Sequence, residues 1–170
     1  FHESMNFASL LKLPVVFFVE NNLYSVYTHL RDRQPQRPLT AYAKAHEIPA
    51  ASTDGNDVLD VRKVTQEFVE RARQNEGPSL IVADTYRWRE HCGPSYDNDL
   101  GYRTTSEFKD WEKLCPVKKL REHLFSLGFL SSNIEATLTS AIEAEINQAF
   151  DSARNAPFPT PESAGLRVYA

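Results

Sequence analysis

Two asparagines, Asn21 and Asn22, close the apolar run "LPVVFFVE". Asparagine is depleted in strands, so a pair at the end of one calls for a use of the carboxamides. A carboxamide oxygen is a neutral hard ligand. It suits magnesium, which takes a few protein oxygens and completes its octahedron with substrate phosphates. Main-chain carbonyls just past a strand can serve the same ion. The alternative is a turn or strand cap, the commoner reading of an isolated Asn-Asn. A second polar cluster, "REHCGPSYDNDLGYRT", follows another apolar run and carries His91.

Other chemistries lack their residues. The six glycines, Gly55, Gly77, Gly93, Gly101, Gly128 and Gly165, are too scattered for a dinucleotide or P-loop phosphate cradle. The histidines, His2, His29, His46, His91 and His123, show no zinc-ligand spacing with cysteine or with one another. There is no Gly-x-Ser-x-Gly elbow. In "HLRDRQPQR", Arg31, Arg33 and Arg37 form either a solvated loop or a basic loop that meets an anionic partner.

The elements that must position these clusters follow from periodicity. "LPVVFFVE" is continuously apolar, which predicts a strand buried on both faces, as in a parallel sheet. Tyr27 to Leu39 predicts a long loop, "TAYAKAHEI" a short helix, and "AASTDGND" a brief strand with a turn at Asp54-Gly55. Val58, Val61, Thr65, Phe68 and Ala72 share one face of an amphipathic helix. "SLIVADTYRW" predicts a second doubly buried strand. Strand, helix and strand in this rhythm predict an α/β fold, a parallel sheet flanked by helices. Ligands of such sheets bind beyond the carboxyl ends of the strands, where both polar clusters lie.

Before the first strand, Met5, Ala8 and Leu10 or Leu11 recur at helical spacing up to Pro14. A chain that opens inside a helix, without Met or loop, is expected to be the latter part of something longer. Beyond residue 115, Val117, Leu120, Leu124 and Leu127 share one helix face. Ile134, Leu138, Ile142, Ile146 and Phe150 form the stripe of another helix, with Ser132 and Glu135 at capping-box spacing. The pair predicts a C-terminal helical hairpin, and 157–170 an extended surface segment.

The 170 residues, 41% hydrophobic and 25% charged, fit one globular domain. With a formal net charge of −4 and no concentrated basic patch, nucleic acid is not an expected partner. No apolar stretch approaches the ~20 residues that span a membrane. Cys92 and Cys115 make no disulfide framework, which fits a reducing, cytoplasmic compartment.

"FHESMNFASLLKLPVVFFVENNLYS" resembles the cofactor motif of the alpha subunits of thiamine-diphosphate-dependent 2-oxo acid dehydrogenases, the decarboxylating first components of the pyruvate and branched-chain complexes. Phe1, Glu3, Asn6, Ala8, Lys12, Leu13, Pro14, Glu20, Asn21, Asn22 and Tyr24 carry the likeness. "STDGNDVLDV", "GPSLIVADTYRWREH", "YRT" and "PVKKLREHLFSLGFLSS" continue it in the family's order, over essentially the whole chain. The resemblance implies that the Asn22 side chain and the Tyr24 main-chain carbonyl hold magnesium, the Tyr24 ring being dispensable. It implies that Arg87 and His91 lie beside thiamine diphosphate. A forked, permanent charge suits a diphosphate, and an imidazole suits proton handling at a catalytic position. Taken singly, Arg87 is more often a surface strand-end charge and His91 an ordinary loop histidine.

The resemblance further implies a beta subunit that shares the site, and a lipoyl acyltransferase that takes the acyl group. Residues 1–115 are then part of the thiamine-diphosphate-binding domain, and 116–170 its helical tail. The family's Gly-Asp-Gly segment, source of the charged magnesium ligand, is expected upstream of Phe1. The chain alone is therefore expected to be inactive. The alternative is a non-catalytic module, homo-oligomeric or partner-binding. Where family members often have His-Gly-His-Ser, this chain has Arg89-Glu90-His91-Cys92. A serine-directed switch is thus not available there. Cys92 is read as a bystander.

Overall fold

Helix α1 (His2–Leu10) buries Met5 and Ala8, the small and flexible members of its apolar set, and leaves Leu10 and Leu11 exposed. Lys12 then takes a left-handed φ of 50°, which turns the chain into strand β1 (Val16–Asn21). The structure, a computed structural model, describes residues 1–166. Strands β2 (Tyr24–Ser25) and β3 (Thr28–His29) form a tight antiparallel hairpin that runs into the short helix α2 (Leu30–Arg33). The stretch expected as loop is thus partly ordered. Helix α3 (Ala41–Lys44), strand β4 (Ala50–Asp54), helix α4 (Val58–Arg73) and strand β5 (Ser79–Asp84) follow.

The sheet has the order β1-β5-β4 and is parallel throughout. β5 is central, and Ser79 to Ala83 are all buried. Leu80 and Val82 point to one face, where they pack with Met5, Ala43 and Ile48. Ile81 and Ala83 alternate to the other face, on the side of α4, which buries Phe68 and Ala72. β1 is an edge strand with Phe18 43% exposed, contrary to the double burial its continuous apolarity predicts. Asp57 caps α4, its carboxylate accepting from the Leu59 and Asp60 amides.

The long connection after β5 contains one 3-10 turn (Asn98–Leu100) and ends at helix α5 (Thr105–Glu112). Helix α6 (Pro116–Ser126) closes at Gly128, whose φ of 73° suits glycine alone without strain. The chain divides into two units, Phe1–His123 and the residues from Leu124 on. The second unit contains helix α7 (Ser132–Asn155), capped by Ser131 rather than Ser132. The α7 stripe Ile134, Leu138, Ile142, Ile146 and Phe150 is about half exposed along its whole length. A 3-10 turn (Pro161–Gly165) interrupts the segment expected to be extended; of that segment, 167–170 lie outside the described residues. Among the described residues, no helix is long and apolar enough to cross a membrane.

Candidate functional site

The carboxyl ends of β1 and β5 lie side by side in register, Asn21 opposite Asp84. The Asn21 amide donates to the Asp84 carboxylate at 2.7 Å, and the Thr85 N–H donates to the Asn21 carbonyl at 3.0 Å. The two chain exits are thereby locked together. Between them and the β2–β3 hairpin opens a cleft of about 660 Å³. Asn22, Tyr24, Arg87 and His91 all line it, although up to 69 residues separate them in sequence.

The Asn22–Tyr24 corner has a specific backbone. Leu23 adopts a φ of 70° and Val26 one of 55°. The left-handed region is disfavoured for a leucine and costlier still for a β-branched valine. The Asn22 Oδ1 accepts from the Tyr24 N–H at 3.1 Å and so closes an Asx turn around Leu23. The Leu30 N–H donates to the Leu23 carbonyl at 2.7 Å. Antiparallel pairs alternate between bonded and non-bonded, so the next pair, Tyr24–His29, is a non-bonded one. The Tyr24 N–H and carbonyl therefore both face out of the ladder. The N–H caps Asn22, and the carbonyl oxygen is left for another partner.

The Tyr24 side chain runs the other way. It is buried, with its ring edge-on to Tyr102 at 5.3 Å and to His29 at 5.0 Å. Its hydroxyl donates to both carboxylate oxygens of Glu107 on α5, at 2.8 and 3.0 Å. Burial and then Glu107 hold the phenol protonated, well above the ordinary tyrosine range.

Arg87 is not a surface charge: its side chain is 15% exposed. One terminal nitrogen donates to the Val26 carbonyl at 2.8 Å and to the Tyr102 hydroxyl at 2.9 Å. Its Nε is buried with no hydrogen-bond partner, and the residue lines the cleft. His91 is exposed at the rim and has no hydrogen-bond partner among the described residues. The arrangement offers two oxygens, from Asn22 and Tyr24, and one cationic fork in a shared cleft. That donor set fits a hard cation together with an anion.

Residues 1–162 match the family described as dehydrogenase E1 component. The chain belongs to that family. It is 39% identical to the 2-oxoisovalerate dehydrogenase subunit alpha of Bacillus subtilis (strain 168), over 100% of this chain and 51% of that protein. Identity to the pyruvate dehydrogenase E1 component subunit alpha of Porphyra purpurea is 35%, over 94% of this chain and 45% of that protein. Identity to the 3-methyl-2-oxobutanoate dehydrogenase subunit alpha of Mycobacterium tuberculosis (strain CDC 1551 / Oshkosh) is 33%, over 99% and 46% respectively. The chain spans about half the length of these relatives.

The chain also carries site-supporting residues to which the sequence reading gave no role, although Tyr102 and Arg103 belong to the quoted "YRT". Tyr102 donates to Asp97 at 2.8 Å, and Asp97 accepts from Arg103 at 2.6 Å. Arg103 also donates to the Arg87 carbonyl at 2.6 Å and lies 5.2 Å from the Tyr86 and Tyr102 ring centres. Burial and the bond to Asp97 push the Tyr102 phenol up. Arg87 is thus held by a chain of side chains from the far end of its own loop. Thr104 and Glu107 stand at capping-box spacing, and Thr104 does cap α5. That spacing marks a helix start, but not the diversion of the Glu107 carboxylate to Tyr24.

Proposed function

We propose that this chain forms one wall of a thiamine-diphosphate and magnesium site in a 2-oxo acid dehydrogenase. The reaction is oxidative decarboxylation of a 2-oxo acid with acyl transfer to a lipoyl carrier. The observation that carries the reading is the Asn22 carboxamide closing on the Tyr24 amide in one cleft with Arg87. Asn22 and Tyr24 would ligate the magnesium. Arg87, with its unpartnered buried Nε, would hold the diphosphate. The cofactor supplies the electron sink for loss of carbon dioxide. His91, at the rim, would hold or move a proton at its imidazole.

In this reading the charged ligand comes from outside the described residues. Asp84, at the neighbouring strand end, is tied to Asn21. The chain by itself is then inactive, with 1–115 facing the cofactor and 116–170 as a helical tail. A beta subunit completes the site, and a lipoyl acyltransferase receives the product. The free thiols of Cys92 and Cys115 agree with a cytoplasmic setting. The half-exposed apolar stripe of α7 favours a second reading, a partner-binding or homo-oligomerising module without catalysis.

Calorimetric titration of thiamine diphosphate with magnesium separates the two. The intact subunit with its beta partner is expected to bind, and Asn22→Ala to weaken binding about 10- to 100-fold. Unchanged binding by the Asn22→Ala protein would sink the assignment. Micromolar binding by the 170-residue chain alone would sink the claim that its site is incomplete.

A further inference from the structure

We infer that Glu107 is a positioning residue for the cation site, acting through the side chain of Tyr24. The inference rests on the cofactor reading above and deepens it. By resemblance, only the main-chain carbonyl of Tyr24 has a role. In the structure its ring is buried and its hydroxyl is gripped by both oxygens of one carboxylate. Glu107 sits in the first turn of α5, where a glutamate ordinarily reaches back to the capping residue's own amide. Its carboxylate is committed to Tyr24 instead, and among the described residues no lysine or arginine pairs with it.

The grip matters because the backbone around Tyr24 does not hold itself. Leu23, immediately before it, and Val26, two residues after it, both have left-handed φ. Each favours relaxation to ordinary dihedrals, which would rotate the peptide that carries the Tyr24 carbonyl. Four side-chain or amide contacts bear on this stretch: the Asn22 cap on the Tyr24 N–H, the Leu30 amide on the Leu23 carbonyl, the Arg87 fork on the Val26 carbonyl, and the phenol held by Glu107. Only the last pins the residue from its far end, across the body of a buried ring. Loss of that anchor leaves the fold in place and lets the carbonyl move.

The test uses the intact subunit assembled with its beta partner, and Mn²⁺ as probe in the presence of thiamine diphosphate, with bound ion read by electron paramagnetic resonance. Tyr24→Phe keeps the buried ring and removes only the hydroxyl. Glu107→Ala removes the acceptor, and Glu107→Gln keeps one. Tyr24→Phe and Glu107→Ala should each weaken Mn²⁺ binding roughly tenfold, and the double variant should be no worse than either. Glu107→Gln should restore most of the affinity. Wild-type affinity in Tyr24→Phe, or additive losses in the double variant, would overturn the inference. A Glu107→Ala subunit that fails to fold leaves Tyr24→Phe and Glu107→Gln to decide. Absence of Mn²⁺ binding in the wild-type assembly would overturn the cofactor reading itself, a distinct result.

Discussion

Arg103 and Asp97 form a 2.6 Å ion pair that is almost wholly withdrawn from water, with side chains 0% and 3% exposed. They fold the connection after β5 back on itself, because Arg103 also bonds the Arg87 carbonyl. A buried charge that loses its partner is costly, roughly 3–5 kcal/mol. Asp97→Ala should lower stability by about that amount. It should also expose the 88–101 segment to protease well before the sheet unfolds. Limited proteolysis followed by mass spectrometry checks this; cleavage no faster than in the wild type would refute it.

The aromatic cluster predicts an alkaline limit. Burial pushes the Tyr86 phenol up to about 12, and Tyr24 is raised further in the same direction. A raised phenol favours the folded state below the unfolded value of about 10. That contribution is lost as pH rises from there through the folded value. Stability should therefore fall between pH 10 and about 12. Tyr86→Phe should flatten the fall, as chemical denaturation at stepped pH would reveal. An equally steep fall in the variant would show that other groups set the limit.

Gly55 sits against the end of β5 with no room for a side chain. A Cβ there would lie 2.8 Å from the Asp84 carbonyl oxygen and 3.0 Å from the Thr85 Cβ. The blocking oxygen is backbone and accepts the Gly55 amide, so it cannot swing aside. Gly55→Ala should cost about 1–3 kcal/mol and disturb the exit of β5 that carries Arg87. Thermal unfolding measures the first effect, and a wild-type melting temperature would contradict it.

Strands β1 and β5 were legible because each is a short apolar run rich in β-branched or aromatic residues. What the run could not tell was rank. Phe17 to Val19 read like Leu80 to Ala83, yet β5 is central and β1 lies at the edge, since β4 pairs on β5's far side. The β2–β3 hairpin was hidden for a different reason. Its turn places Val26 at positive φ, where Gly or Asn is the usual signal. The candidate site divides in the same way. Asn22, Tyr24, Arg87 and His91 carry local motif signals. The grip of Glu107 on Tyr24 spans 83 residues and exists only after folding.

The pairing of Asn21 with Asp84 makes the β1–β5 register a ruler for the cleft. One residue inserted within β1 would slide Asn22 about 3.3 Å along the strand and turn its side chain to the opposite face, away from Arg87. A residue inserted at the Gln74–Glu76 turn after α4 would meet a surface bend and leave the ruler unread. Tolerance to length change should thus be sharply uneven along the chain, lowest in two six-residue strands that contribute none of the four cleft-lining candidates.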